Sequence, residues 1–339
     1  MNEPRKHHYV PVVYQKRFVN EQGLLWVYDR LKKSFAERHP SAICCEKDLY
    51  AVKPEGAPKD QRLESIALAQ ADGDCATDIR SLIYPLAGLP GHYVRSLVSY
   101  FVGLQYSRLP SMREYVTTMW ERGVKETMRL TAVNEGRMQS VMDRYERETG
   151  DKVAASARTM VEVIQRDGLK IVVNELPFLR YVFRAAKIVA DTVIRSSWQV
   201  LRAPGGAGFV LCDAPVVVVP PRGVRQVGFY VPGTVTYVPL SRETCLRLSN
   251  PKRGRLQYRE VDSRTVRIIN QDIAANSDRF IMGPVKQEVE TIVALSGCEA
   301  PNATPRAAFR RRAENDDGSF DEAVMNPRNY FYLPDGRSP

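Results

Sequence analysis

The apolar spacing of this chain changes twice, and that change constrains the fold more than any other feature. Between residues 61 and 197 apolar side chains recur near the 3.6-residue period of a helix, as at Leu63, Ile66, Cys75, Ile79 and Leu82, and again at Val94, Leu97, Val98, Phe101 and Leu104. On either side the chain is rich in aromatic and β-branched residues in short alternating runs, as in Leu24 to Tyr28 and Trp198 to Arg202. Strands separated by a helical insertion commonly rejoin in one antiparallel sheet. The expectation is therefore an α+β fold, a mainly antiparallel sheet built from N-terminal and C-terminal strands with a long helical insertion between them. Residues 1–299 form one domain on this reading: N-terminal strands over 7–60, helices over 61–197, C-terminal strands and helices over 198–299. From 300 to 339 the composition turns to Pro, Ala, Asn, Arg and Asp, which predicts a mobile tail.

Within that frame, residues 7 to 30 read as two strands joined by a turn at Asn20-Glu21-Gln22-Gly23. A short strand follows between Arg30 and Pro40. Helices are expected over 61–84, 92–107, 111–149 with a break near Asn134-Glu135-Gly136, 153–166 and 173–197. Trp198 to Arg202 and Phe209 to Cys212 flank a Gly-rich link and read as a β-hairpin. Strands follow at Val216 to Val219, Gln226 to Tyr230 and Val235 to Pro239, and Cys245 to Leu248 is expected to pair with Leu256 to Arg259. Ser263 is placed to cap a helix to about Ala275, with a strand at Phe280 to Gly283 and a last helix over 285–296.

Two of the four histidines stand side by side in His7-His8-Tyr9-Val10-Pro11. Alternation along a strand sends His7 and Tyr9 to one face and His8 and Val10 to the other. With Tyr14, Lys16, Arg17 and Phe18, this opening resembles that of a large bacterial family of unknown function, domain of unknown function 4238. Leu25-Trp26-Val27-Tyr28-Asp29-Arg30, Glu46-Lys47-Asp48-Leu49-Tyr50, Gln105 with Arg108 and Pro110, and Trp198, Phe209, Asp213 and Pro215 are similar to later blocks of that family. So are Pro239-Leu240-Ser241 and Asn270. The likeness runs from about residue 7 to 282. It departs at Val12, where the family often has glutamine, and at Cys212 and Ala214, where small polar residues are usual. The resemblance implies a bacterial or phage protein with relatives in defence loci, and it implies no reaction.

The chemistry these residues support is hydrolysis of a phosphodiester. His8 or His7, Asp213 and Glu46 together offer the ligands and proton carriers that Mg²⁺ or Mn²⁺ needs, with Lys47 beside a scissile phosphate. The metal set on this reading is His8, Asp213 and Glu46. Each also has a plain structural reading: a half-buried histidine, an Asx turn before Ala214-Pro215, a surface or cap carboxylate. Gln105 and Arg108, three apart on one helical face, hold either a phosphate or an internal carboxylate. The six cysteines show no Cys-x-x-Cys, there is no Gly-x-Ser-x-Gly, and no Lys-Ser/Thr helix follows Gly205-Gly206, which argues against zinc knuckle, serine hydrolase and P-loop.

The formal charge of +10 and a pI near 9.3 favour a polyanionic partner, chiefly nucleic acid. Between Pro251 and Ile268 stand Lys252, Arg253, Arg255, Arg259, Arg264 and Arg267 against Glu260 and Asp262, and a second cluster lies at Arg306, Arg310, Arg311 and Arg312. Lys252, Arg253 and Arg255 join Gln105 and Arg108 as candidate phosphate contacts. No run of about 18 apolar residues and no leader-like N-terminus is present, so no membrane association and a cytoplasmic setting with reduced thiols are expected. The first reading is a metal-dependent nuclease or phosphodiesterase in anti-phage defence. The alternatives are a non-enzymatic module binding nucleic acid or a partner protein from the same locus, and a nucleotide or phage-component sensor.

Overall fold

A computed structural model describes residues 6–51, 68, 72–73, 79–84, 91–168, 171–221, 224, 228–249 and 256–297. Most of the 61–84 helix, Gln226, Lys252, Arg253, Arg255, the 306–312 cluster and the 300–339 tail lie outside them. The protein is α+β, with antiparallel sheets and a helical segment between the N- and C-terminal strands, as the periodicity predicts. The described residues divide into two compact units: those up to 111 together with 182–297, and 112–181.

The larger unit opens with β1 (Lys6–His8), a four-residue helix α1 (Val12–Gln15) and a 3₁₀ turn at Lys16–Phe18, then β2 (Leu25–Asp29), β3 (Ser34–Arg38) and β4 (Cys45–Lys47). The first expected strand is thus cut to three residues. Pro11 is the cause: it lacks an N–H for the ladder, and its carbonyl instead accepts from the N–H groups of Tyr14 and Gln15 at 3.0 Å each. The turn at Asn20 forms as predicted, with the Asn20 side chain accepting from the Leu24 N–H at 2.9 Å.

Helix α2 (His92–Ser107) follows, and the unit resumes after 181 in the second part of a helix over Leu176–Val193. These two approach so closely that a Cβ on Gly103 would stand 2.1 Å from the Ala186 carbonyl oxygen. The C-terminal strands are β5 (Ser197–Arg202), β6 (Leu211–Cys212), β7 (Val217–Val219), β8 (Val235–Ser241), β9 (Thr244–Ser249), β10 (Leu256–Glu260) and β11 (Phe280–Gly283). They form a four-stranded sheet β3-β2-β11-β6 and a five-stranded sheet β10-β5-β9-β8-β7, while β1 pairs with β4. N-terminal and C-terminal strands therefore share the four-stranded sheet, whereas the five-stranded sheet is C-terminal alone. Trp198, Val200, Leu246, Leu248 and Val238 bury one of its faces, and Trp198 donates from Nε1 to the Val193 carbonyl at 2.8 Å.

Three expectations about pairing are corrected. Trp198–Arg202 and Leu211–Cys212 enter different sheets rather than a hairpin, because the link between them finds other partners. The Ala203 and Phe209 N–H groups donate to Glu243 and Arg242 carbonyls, and the Asn270 side chain bridges the Val210 N–H (3.1 Å) and the Gly208 carbonyl (2.8 Å). β10 pairs in parallel with β5, not with β9, since β5 and β8 already occupy both edges of β9. The described part of the expected 226–230 strand, Gly228 to Tyr230, is a turn. Two helices complete the unit, over Ser263–Ala275 and Lys286–Ser296. Asp262 rather than Ser263 caps the first, its carboxylate accepting from the Thr265 N–H at 2.8 Å.

The smaller unit is helical. Helix α3 (Pro110–Thr131) ends before Asn134, whose side chain accepts from the Arg137 N–H at 2.8 Å and caps α4 (Glu135–Thr149). The break therefore falls where the sequence predicts. Gly150, at φ +79°, closes α4 in the left-handed conformation. Met138 and Met142 of α4 pack with Ala157, Val161 and Ile164 of α5 (Ala157–Gln165) and with Ala132. With the Leu176–Val193 helix as α6, the Ser263–Ala275 helix is α7 and the Lys286–Ser296 helix α8.

Candidate functional site

β1 and β4 run antiparallel with His7 opposite Glu46, His8 opposite Cys45 and Lys6 opposite Lys47. His7 is fully buried, stacked on the Tyr50 ring at 5.7 Å with 4° between planes, and its Nδ1 accepts from the Tyr50 N–H at 3.0 Å. An accepting Nδ1 places the ring proton on Nε2. His8 faces the other way, half-buried, with Nε2 bonded to the Ser41 carbonyl at 3.2 Å. Burial holds its pKa below the ordinary histidine value. Lys6 and Arg108 add to that lowering, while the bond to Ser41 and the Asp72 charge oppose it.

Tyr50 links this strand to Gln105 and Arg108 of the α2 end. Its hydroxyl donates to the Arg108 carbonyl at 3.1 Å. The Arg108 side chain is wholly buried and grips Asp72 with both arms, at 3.1 and 2.9 Å. Gln105, also wholly buried, sets its amide against the same guanidinium; the oxygen is assigned to that side, 2.9 Å from Nε, because only there does it meet a donor. Of the two uses foreseen for Arg108, the structure places it in the internal clamp, where its planar fork matches a carboxylate.

Asp213 follows β6 and is buried. Its two oxygens accept from the backbone N–H groups of Asp278 (2.9 Å) and Arg279 (2.7 Å). Burial, then the neighbouring Asp278 charge, push its pKa up to about 7 against its backbone hydrogen bonds with Phe280, Arg279 and Asp278. Asp278 accepts from Ser111 Oγ at 2.6 Å, and Arg279 forks onto Asp29, its closest contact 2.7 Å. Burial alone would raise Asp29, but Arg279 and the N–H groups of Lys32 and Leu31 bring it below the usual carboxylate range. Tyr9, two residues past His7, lies in the electrostatic field of Cys44, Asp213, Glu46 and Asp278. Burial and those groups raise its pKa well above the phenol value. The opening motif thus does approach Asp213, through Tyr9.

The arrangement is chiefly a buried polar framework. Most of the blocks that carry the family resemblance supply a member of it: His7, Tyr50, Gln105, Arg108, Asp213, Asp29 and Asn270. What faces solvent beside it is Lys6 and Lys47, with Cys45, Glu46 and His8 half-buried. Among the described residues no group of three His, Cys, Asp or Glu side chains is placed to hold a metal ion, so His8, Asp213 and Glu46 are not brought together as a ligand set. The reason is geometric: Asp213 is turned to backbone N–H groups, and His8 to Ser41. Asp72, Asp278 and Arg279 also belong to this network, and the sequence does not mark them as site residues. Each pairs across a long stretch of chain, and no local spacing announces it.

A second candidate region lies at β10 and α7. Arg259, Arg264 and Arg267 are exposed there, and none forms an ion pair with a described residue. Asp262, in their midst, is engaged in capping α7.

A family model described as a protein of unknown function (DUF4238) matches residues 6–286. No curated protein matches, and no solved structure matches. Among the described residues no helix is long and apolar enough to cross a membrane.

Proposed function

We propose, from the premise that the chain belongs to the DUF4238 family of proteins of unknown function, that it binds nucleic acid through the phosphate backbone without itself cutting it. The observation that carries this reading is the charge left over at β10 and α7. Arg259, Arg264 and Arg267 stand exposed and form no ion pair with a described residue, Arg264 acting on the Asp262 carboxylate only through its field, in a chain of net charge +10. Cations so placed release counterions from a nucleic-acid backbone on binding. The buried framework around His7, Asp213 and Arg108 holds this surface's scaffold in shape rather than meeting substrate. The reading includes a cytoplasmic setting, with which the four free cysteines among the described residues agree.

The metal-dependent nuclease reading has less support, because His8, Asp213 and Glu46 do not meet. Both are tested together. Fluorescence anisotropy on labelled DNA and RNA, from low to moderate salt, should give an affinity whose logarithm falls linearly with the logarithm of salt. Replacing Arg259, Arg264 and Arg267 by serine should make that slope shallower by about 2 to 3. No binding at low salt sinks the proposal. Cleavage that needs Mg²⁺ or Mn²⁺ and disappears in His8→Ala replaces it with the nuclease.

A further inference from the structure

The outer face of the five-stranded sheet carries a row of polar side chains that the buried framework does not use. Strand register aligns Gln257, Gln199, Arg247 and Tyr237 across β10, β5, β9 and β8. Paired residues on neighbouring strands project to the same side, so the four form a line. Arg259 is on that side as well, two residues from Gln257. Arg247 is the centre of the row. It donates from Nη1 to Gln199 Oε1 at 2.9 Å and hydrogen-bonds the Tyr237 hydroxyl. Gln199 in turn reaches Gln257 Oε1 at 3.5 Å.

The half-buried Arg247 has no ion-pair partner among the described residues. Both groups that hold it are neutral. A guanidinium fixed in place by neutral acceptors keeps its full positive charge and has little side-chain freedom left to lose on binding. Arg247 can only donate, so Tyr237 accepts from it and keeps its own O–H as a donor. The exposed amide of Gln257 adds a further N–H donor. Among the charges that act on Tyr237 is the Asp272 carboxylate of α7, whose own pKa burial raises. Charged and titratable groups facing Tyr237 are thus Arg247, Asp272 and the buried Cys245.

We infer that Arg247, with Tyr237 and Gln257, forms a socket for a phosphoryl group on the outer face of this sheet. A planar fork flanked by hydroxyl and amide donors fits the oxygens of a phosphodiester or of a nucleotide monophosphate. The inference rests on the nucleic-acid reading above and adds to it a fixed point of contact. Arg259 stands two strand spacings away on the same face, roughly 10 Å across the sheet. A strand seated on Arg247 is therefore within reach of Arg259 on β10.

The test compares wild type, Arg247→Gln, Arg247→Lys, Tyr237→Phe and the Arg259/Arg264/Arg267→Ser triple variant, each checked for folding by circular dichroism and thermal melting. Probes are a labelled single strand without terminal phosphate, by anisotropy, and a nucleoside monophosphate, by calorimetry. Arg247→Gln should weaken binding at least tenfold. Arg247→Lys should recover only part of it, because charge returns without the fork. Tyr237→Phe should weaken binding a few-fold. Loss on the strand alone identifies a phosphodiester as the occupant, and loss on the monophosphate as well identifies a free nucleotide. If the triple variant loses affinity while folded Arg247→Gln binds both probes like wild type, the socket is overturned and the nucleic-acid reading stands. If wild type binds neither probe, both fall.

Discussion

Arg108 and Arg247 are the same side chain put to opposite use. Arg108 is wholly buried, gripped by the Asp72 carboxylate and by Gln105. Arg247 is half-exposed and held by a glutamine and a phenol, with no carboxylate partner among the described residues. A buried charge without a partner is costly, so the first arginine's charge is neutralised within the fold. The second can keep its charge because water still reaches it. The comparison teaches that a guanidinium's meaning lies in what compensates it, and that its motif does not reveal this. Arg108 belongs to a block of the family resemblance, yet the structure places it in an internal clamp. Arg247 belongs to none.

The largest effect should come from Arg108→Ala. It would leave the Asp72 carboxylate and the Gln105 amide without their guanidinium, at a cost of about 3–5 kcal/mol in unfolding free energy by chemical denaturation. A loss under about 1 kcal/mol would erase the contrast between the two arginines.

Asp213 supplies the next test. Its folded pKa of about 7 lies above the ordinary carboxylate value. The folded state thus binds this proton more tightly than the unfolded chain does. Stability from this group is fully present below about pH 4 and is lost as pH rises through 7, a change on the order of a few kcal/mol. Asp213→Asn should remove that part of the pH slope. An identical slope in both proteins would show that the buried framework does not hold Asp213 as described.

Gly103→Ala should cost about 1–3 kcal/mol or more, because the added Cβ meets backbone at 2.1 Å, where no side chain can give way. Its thermal melt would fall without any direct effect on a binding surface. Smallest of all, Arg247→Gln should change stability by no more than about 1 kcal/mol while affinity for the strand falls. A large loss of stability there would move Arg247 into the same class as Arg108.

Much of the fold was legible because period is a local property. The break at Asn134, the turn at Asn20 and the strand at Phe280 all follow from residues next to one another. The pairings were not legible. Leu211–Cys212 left the expected hairpin because Asn270, 60 residues on, takes the Val210 N–H. Arg108 and Asp72 are 36 residues apart, Asp213 and Arg279 66, Arg279 and Asp29 250. Of the candidate site, the nearness of the opening motif to Asp213 could be foreseen from strand order. The failure of His8, Asp213 and Glu46 to meet could not, since it depends on where Asp213 turns its two oxygens.

By itself the sequence determined where most helices and strands of the described residues run, the excess of positive charge and the family to which the chain belongs. Only the tertiary structure decided which of its charges are spoken for. The hydrophobic pattern is written in neighbouring residues. A buried ion's partner is chosen by three-dimensional proximity, and the desolvation penalty that enforces the choice exists only once the chain has closed around it.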